Sequence, residues 1–161
     1  MIALIAALVA APVAVSQKGP WLEMQAGPQV LLRSRGAGVG PEVRLNLGLG
    51  VSEGLAAEVW LSGAMEESRL TPGDQARLGA GLAARGRFVQ FDSEGKVALW
   101  GRLGGGFTAS SPGQLGPTGF AGLQVLFQPF VKRFSMGLEV DGVALRGGMG
   151  FAVLPSLRCA L

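Results

Sequence analysis

From Trp21 onward the chain alternates apolar residues with small or polar ones at a period of two, the pattern of β-strands with one apolar face. Leu22, Met24 and Ala26 alternate with Glu23, Gln25 and Gly27, and the phase continues through Gln29, Val30 and Leu32. A Gly-rich stretch follows. Val43, Leu45, Leu47, Leu49 and Val51 then oppose Glu42, Arg44, Asn46, Gly48 and Gly50. Beyond a turn at Ser52-Glu53-Gly54, a third strand sets Ala57, Val59, Leu61, Gly63 and Met65 against Glu58, Trp60, Ser62 and Ala64. The fourth sets Leu78, Ala80, Leu82, Ala84 and Phe88 against Arg77, Arg85 and Arg87. After a turn at residues 92–95, the fifth carries Val97, Leu99, Leu103 and Phe107, with Trp100 and Arg102 opposite. The sixth, near residues 118–129, is phased by Ala121, Leu123, Val125 and Phe127 against Gln124 and Gln128, which puts Phe120 and Leu126 on the polar side. The seventh sets Phe134, Met136, Leu138 and Val140 against Ser135, Gly137, Glu139 and Asp141.

The eighth segment, Met149 to Leu161, reads MGFAVLPSLRCAL and keeps Met149, Phe151, Val153, Pro155, Leu157, Cys159 and Leu161 on one side. Its polar side carries Arg158, with Leu154 as an exception. Such a strand needs a partner, and closure onto the strand that starts at Trp21 supplies one. The expected fold is therefore all-β: an eight-stranded antiparallel up-and-down transmembrane β-barrel. Strands of roughly ten residues are what a tilted transmembrane strand requires. Longer connections are expected near 33–40, 66–75, 108–117 and 145–148, with tighter turns at the opposite end.

The even strand number, the alternating faces and the terminal strand resemble the small eight-stranded outer-membrane barrels of the OmpA/OmpX type. The resemblance covers nearly the whole chain after the leader and rests on pattern. It implies an outer-membrane location with both termini periplasmic, surrounding lipid, insertion by the barrel-assembly machinery, and a monomer. The last residue in such proteins is commonly aromatic; here it is Leu161.

Alternation does not say which face meets lipid. A soluble lipocalin-like carrier of an apolar ligand would place its apolar residues inside. Three features favour the membrane arrangement. The polar face is crowded with Gly, Ala and Ser, as a narrow lumen requires. Its charges are Arg with Glu or Asp: Glu23, Glu42, Glu58, Glu139 and Asp141 can pair with Arg44, Arg77, Arg85, Arg87, Arg102 and Arg158. Buried pairs favour Arg, whose planar fork matches a carboxylate. Lys18, Lys96 and Lys132 fall at the chain start or beside turns. The assigned apolar faces carry no charge, and a cation there would cost about 2–4 kcal/mol at the bilayer midplane.

Composition adds a leader. The first fifteen residues, MIALIAALVAAPVAV, form an apolar run too short to span a bilayer comfortably. Ala14-Val15-Ser16 offers small residues for cleavage before Gln17, so residues 1–16 read as a signal peptide and 17–161 as the barrel. No Lys or Arg precedes the run; a mis-assigned start or an apolar first strand are the alternatives. The net charge of +3 is scattered, without the basic block of a nucleic-acid surface.

Little points to catalysis. Histidine is absent, Ser110 and Ser111 have no activating partner, and no metal-ligand spacing or cofactor motif is present. Gly104-Gly105-Gly106 leads into no helix and so is not a phosphate loop. The Arg/Glu set reads as a packed, self-neutralising lumen or, alternatively, as the lining of a narrow solute channel. Trp60 and Trp100 are expected to fill volume opposite glycines. Trp21, Phe88, Phe91, Phe127, Phe130 and Phe134 are expected to form an aromatic girdle at the periplasmic rim. The expected role is structural or interaction-based, without catalysis.

Overall fold

The computed structural model describes residues 19–33, 36–68, 71–93, 96–111, 113–129 and 133–161, without the side chains of 68 and 71–74. The expected leader, Lys18, Phe130 and Lys132 lie outside the described residues. The strands are β1 (Gly19–Arg33), β2 (Gly36–Ser52), β3 (Leu55–Ser68), β4 (Thr71–Gln90), β5 (Val97–Ser110), β6 (Gln114–Phe127), β7 (Phe134–Leu145) and β8 (Gly148–Ala160). Each pairs with its sequence neighbour and β8 pairs antiparallel with β1, so the sheet closes into a barrel.

The register sets the barrel's dimensions. Stepping across paired residues from Glu23 leads through Asn46, Trp60, Gly81, Gly106, Thr118, Leu145 and Gly148, and returns to β1 at Arg33. That displacement, from residue 23 to residue 33, is the shear. With eight strands and ordinary strand spacings it corresponds to a tilt of about 40°. An eight-stranded barrel of this tilt is just wide enough inside for side chains.

The apolar face points outward all round. Leu45, Leu61, Leu82, Leu103, Leu123, Leu138 and Phe151 are among the large exposed side chains. Among the described residues, the exposed charged side chains, Glu53, Glu67, Arg133 and Arg146, sit at strand ends or in turns. This is the reverse of a soluble carrier, whose apolar face is enclosed. Closure also bonds the backbone within the sheet, which a lipid environment demands.

The structure changes three expectations. The stretches expected as longer loops are mostly strand. Only residues 34–35, 69–70, 111–113 and 146–147 separate those strand pairs, and Gly147 takes a left-handed φ of +84°. Their Gly and Pro residues do not stop the strands, because inward positions need small side chains and the alternation continues (Val39 and Leu115 remain outward). The longer connections lie at the terminal end, where β1 begins and β8 ends, at 91–96 and 128–133. In the first of these the Asp92 carboxylate accepts the backbone N–H groups of Val97 and Lys96, both at 3.0 Å, and these bonds hold it below the usual carboxylate range. The third change is Trp21. It is 2 % exposed and faces the lumen, because it shares the parity of Glu23 and Gln25. Phe88, Phe91, Phe127 and Phe134 are exposed near the terminal end, where the girdle was expected.

Phe120 and Leu126, the residues that broke the expected phase of β6, are buried in the lumen, as are Leu31 and Leu154. The interior therefore admits apolar side chains between its charges. At the closing seam the β1–β8 ladder runs from Trp21 to Gln25 and from Gln29 to Arg33 in one register, interrupted at residues 26–28. Pro28 and Pro155 flank that gap, and proline cannot donate to a ladder.

Candidate functional site

The parity that sends leucine and valine to the outside sends the charged residues into one column. Arg44, Arg77, Arg85, Arg102 and Arg158 are buried there with Glu23, Glu42, Glu58, Glu66, Glu139 and Asp141. They form a chain of alternating sign that runs along the barrel. At the end away from the termini, half-buried Arg33 bonds Glu66 at 2.9 Å, and Glu66 meets Arg77 at 3.2 Å. Arg77 lies 3.8 Å from Glu42, which meets Arg44 at 2.9 Å. Arg44 reaches Asp141 at 2.5 Å and Glu139 at 3.4 Å. Arg102 takes Glu139 at 2.8 Å and also bonds Glu58. Glu58 lies 3.2 Å from Arg85, and Arg85 is 3.0 Å from Glu23. Arg158 completes the chain by donating from Nε to Glu23 at 2.6 Å.

Neutral amides take up part of the remaining bonding capacity. Gln25 Nε2 donates to Glu23 at 2.8 Å and to Glu139 at 2.5 Å. Gln124 Nε2 donates to Glu23 at 2.8 Å and to Ser156 Oγ at 3.0 Å. Asn46 accepts from Arg102 at 2.6 Å and donates to Gln25 at 3.1 Å. Aromatic faces take up guanidinium surface. Arg44 and Arg102 both lie over Phe120, at 4.6 and 4.7 Å, and Arg85 and Arg158 lie over Trp21, at 5.0 and 4.2 Å. Such contacts suit Arg, whose planar cation stacks and is weakly hydrated.

Small residues create the space. A Cβ on Gly48 would lie 1.9 Å from the Trp21 ring, and one on Gly122 would lie 1.8 Å from Asp141 Oδ1. A Cβ on Gly79 would sit 2.9 Å from Trp60, so Trp60 does lie against a glycine. Trp100 is fully buried with Ala98 and Leu126 near the terminal end.

Ten of the eleven charged residues expected in the lumen take part in this chain. Arg87 does not: it is half-buried near the terminal end, over the Trp100 ring at 6.0 Å. Arg33 and Glu66 were missed because they fell in an expected loop. Their parity was the available signal, since Arg33 continues the series from Glu23 and Glu66 the series from Glu58. Among the described residues no cluster of ligating side chains could hold a metal ion.

A closed barrel with an uncharged apolar band outside and charges inside is a transmembrane β-barrel. Its fold is that of the small eight-stranded outer-membrane barrels, as known structures bear out. The structure of Neisserial surface protein A superimposes with a TM-score of 0.76 at 11 % identity, over 89 % of this chain and 98 % of that one. The outer membrane protein OprG from Pseudomonas aeruginosa gives 0.58 at 8 % identity, over 92 % and 100 %. Ail, the attachment invasion locus protein of Yersinia pestis, gives 0.56 at 15 % identity, over 88 % and 99 %. No protein-family model matches the chain, and no curated protein sequence is similar to it.

Proposed function

We propose that this chain is a small outer-membrane protein whose barrel is a shut, self-neutralising scaffold with a structural or interaction role, and not a pore or an enzyme. The observation that carries this reading is the chain of alternating charges from Arg33 to Arg158. An ion crossing the lumen would have to displace buried guanidinium–carboxylate pairs, and unpairing one such charge costs about 3–5 kcal/mol. The chain also has no histidine to serve as a base. β1 begins and β8 ends at the same end of the barrel; we place that end in the periplasm and take the protein to insert through the barrel-assembly machinery as a monomer. The hairpins at the opposite end are tight, so a partner there would meet the strand ends more than any loop.

Recording from the refolded protein in a planar bilayer tests this. The wild type is expected to show no discrete conductance steps. Arg44→Ala and Glu58→Ala are expected to lower the melting temperature in detergent far more than they raise conductance. A large conductance change with unaltered stability would favour the narrow channel instead.

A further inference from the structure

The ion-pair chain has a long link, 3.8 Å, between Arg77 and Glu42, and a small cavity lies beside that link. Glu42, Arg44, Arg77, Trp60, Thr108 and Phe120 contribute to its wall. About 10 Å³ is open to the centre of a water-sized molecule, which is roughly the room one water needs. Two polar atoms on its lining residues have no hydrogen-bond partner: the donor Trp60 Nε1 and the acceptor Glu42 Oε2. Both side chains are 3 % exposed. Leaving a buried donor or acceptor unsatisfied carries the full desolvation penalty, so each of these atoms calls for a partner.

We propose that this cavity is a binding site for a single water molecule that accepts from Trp60 Nε1 and donates to Glu42 Oε2. The pair of unmet needs selects the ligand. A cation would satisfy Glu42 but not the indole N–H, and it would face Arg44 and Arg77. An anion would satisfy the indole but meet the Glu42 carboxylate. Water donates and accepts, and it is small enough. It bridges the chain of charges at the long gap between Arg77 and Glu42 and leaves the rest of the plug intact.

Water-to-indole magnetisation transfer, by rotating-frame NOE on the ¹⁵N-labelled barrel refolded in micelles, tests the site. Trp60→Phe assigns the resonance. The Trp60 Nε1–H signal is expected to show a direct cross-peak to water. Val143→Ile adds carbon to the cavity wall and is expected to abolish that cross-peak in a barrel that still refolds. Titration with bromide and with rubidium should leave the resonance unmoved. Absence of the wild-type cross-peak overturns the proposal even if Val143→Ile fails to fold. So does a cross-peak unchanged in a folded Val143→Ile, or a saturable shift with either ion.

Discussion

Arg102→Met is expected to destabilise the refolded barrel by about 3–5 kcal/mol, the cost of stranding buried charge. The Arg102 side chain is fully buried, and its guanidinium serves four groups on four other strands. It bonds Glu58, donates to Glu139 at 2.8 Å and to Gln25 at 3.1 Å, and donates to Asn46 at 2.6 Å. It also covers the Phe120 ring. Methionine fills much of the same volume, so the loss would come from charge and not from a cavity. Urea titration of the refolded protein, read as the fraction of compact band on an unheated gel, measures the effect. The double variant Arg102→Met with Glu58→Leu is expected to recover part of the loss, because contacting residues are coupled and an apolar pair leaves less charge unpaired. A single variant as stable as the wild type would show that the chain of pairs contributes little.

Gly27→Val is expected to prevent stable closure of the barrel. Gly27 sits on β1 in the stretch where the ladder to β8 is interrupted. A Cβ there would lie 2.0 Å from the Val153 carbonyl oxygen and 3.2 Å from Pro155 Cδ. The obstacle is backbone, which cannot rotate aside, and the prolines already deny this seam some of its hydrogen bonds. Overpacking a tight site typically costs about 1–3 kcal/mol, and backbone displacement at the closing edge adds to that. Gly63→Ala is the matched control. Its Cβ would meet only Leu78 Cδ2, at an ordinary 3.7 Å. The control is expected to refold like the wild type while Gly27→Val loses the compact band. Equal refolding of the two would mean that the seam adapts freely.

Much of this architecture is legible in the alternation, because a period of two assigns each side chain to a face without knowledge of its neighbours. Leu47 and Leu138 are outward and Glu58 and Asp141 inward for that reason alone. Strand ends are harder to read, since Gly and Pro mean a loop in water but also fit a crowded lumen or a proline-tolerant edge. That ambiguity hid Arg33 and Glu66 in an expected loop. Trp21 shows the same conflict from the other side: its place near the chain start suggested the rim, but its parity put it inside. Pair partners are not readable locally at all, except for near neighbours such as Glu42 and Arg44. Arg158 meets Glu23 only because β8 closes on β1 in one register, and that register emerges from all eight pairings. Proline at 155 marks a weak point in β8, but nothing local shows that Gly27 must lie against it.

The central claim is that this chain folds into a closed barrel within a lipid membrane. Gel migration of the membrane-extracted protein, unheated against heated, tests it most directly. Folded, the barrel should resist the detergent and run as a compact band that shifts after boiling. Identical migration in the two lanes, or recovery of the protein in the soluble fraction without detergent, would contradict the claim.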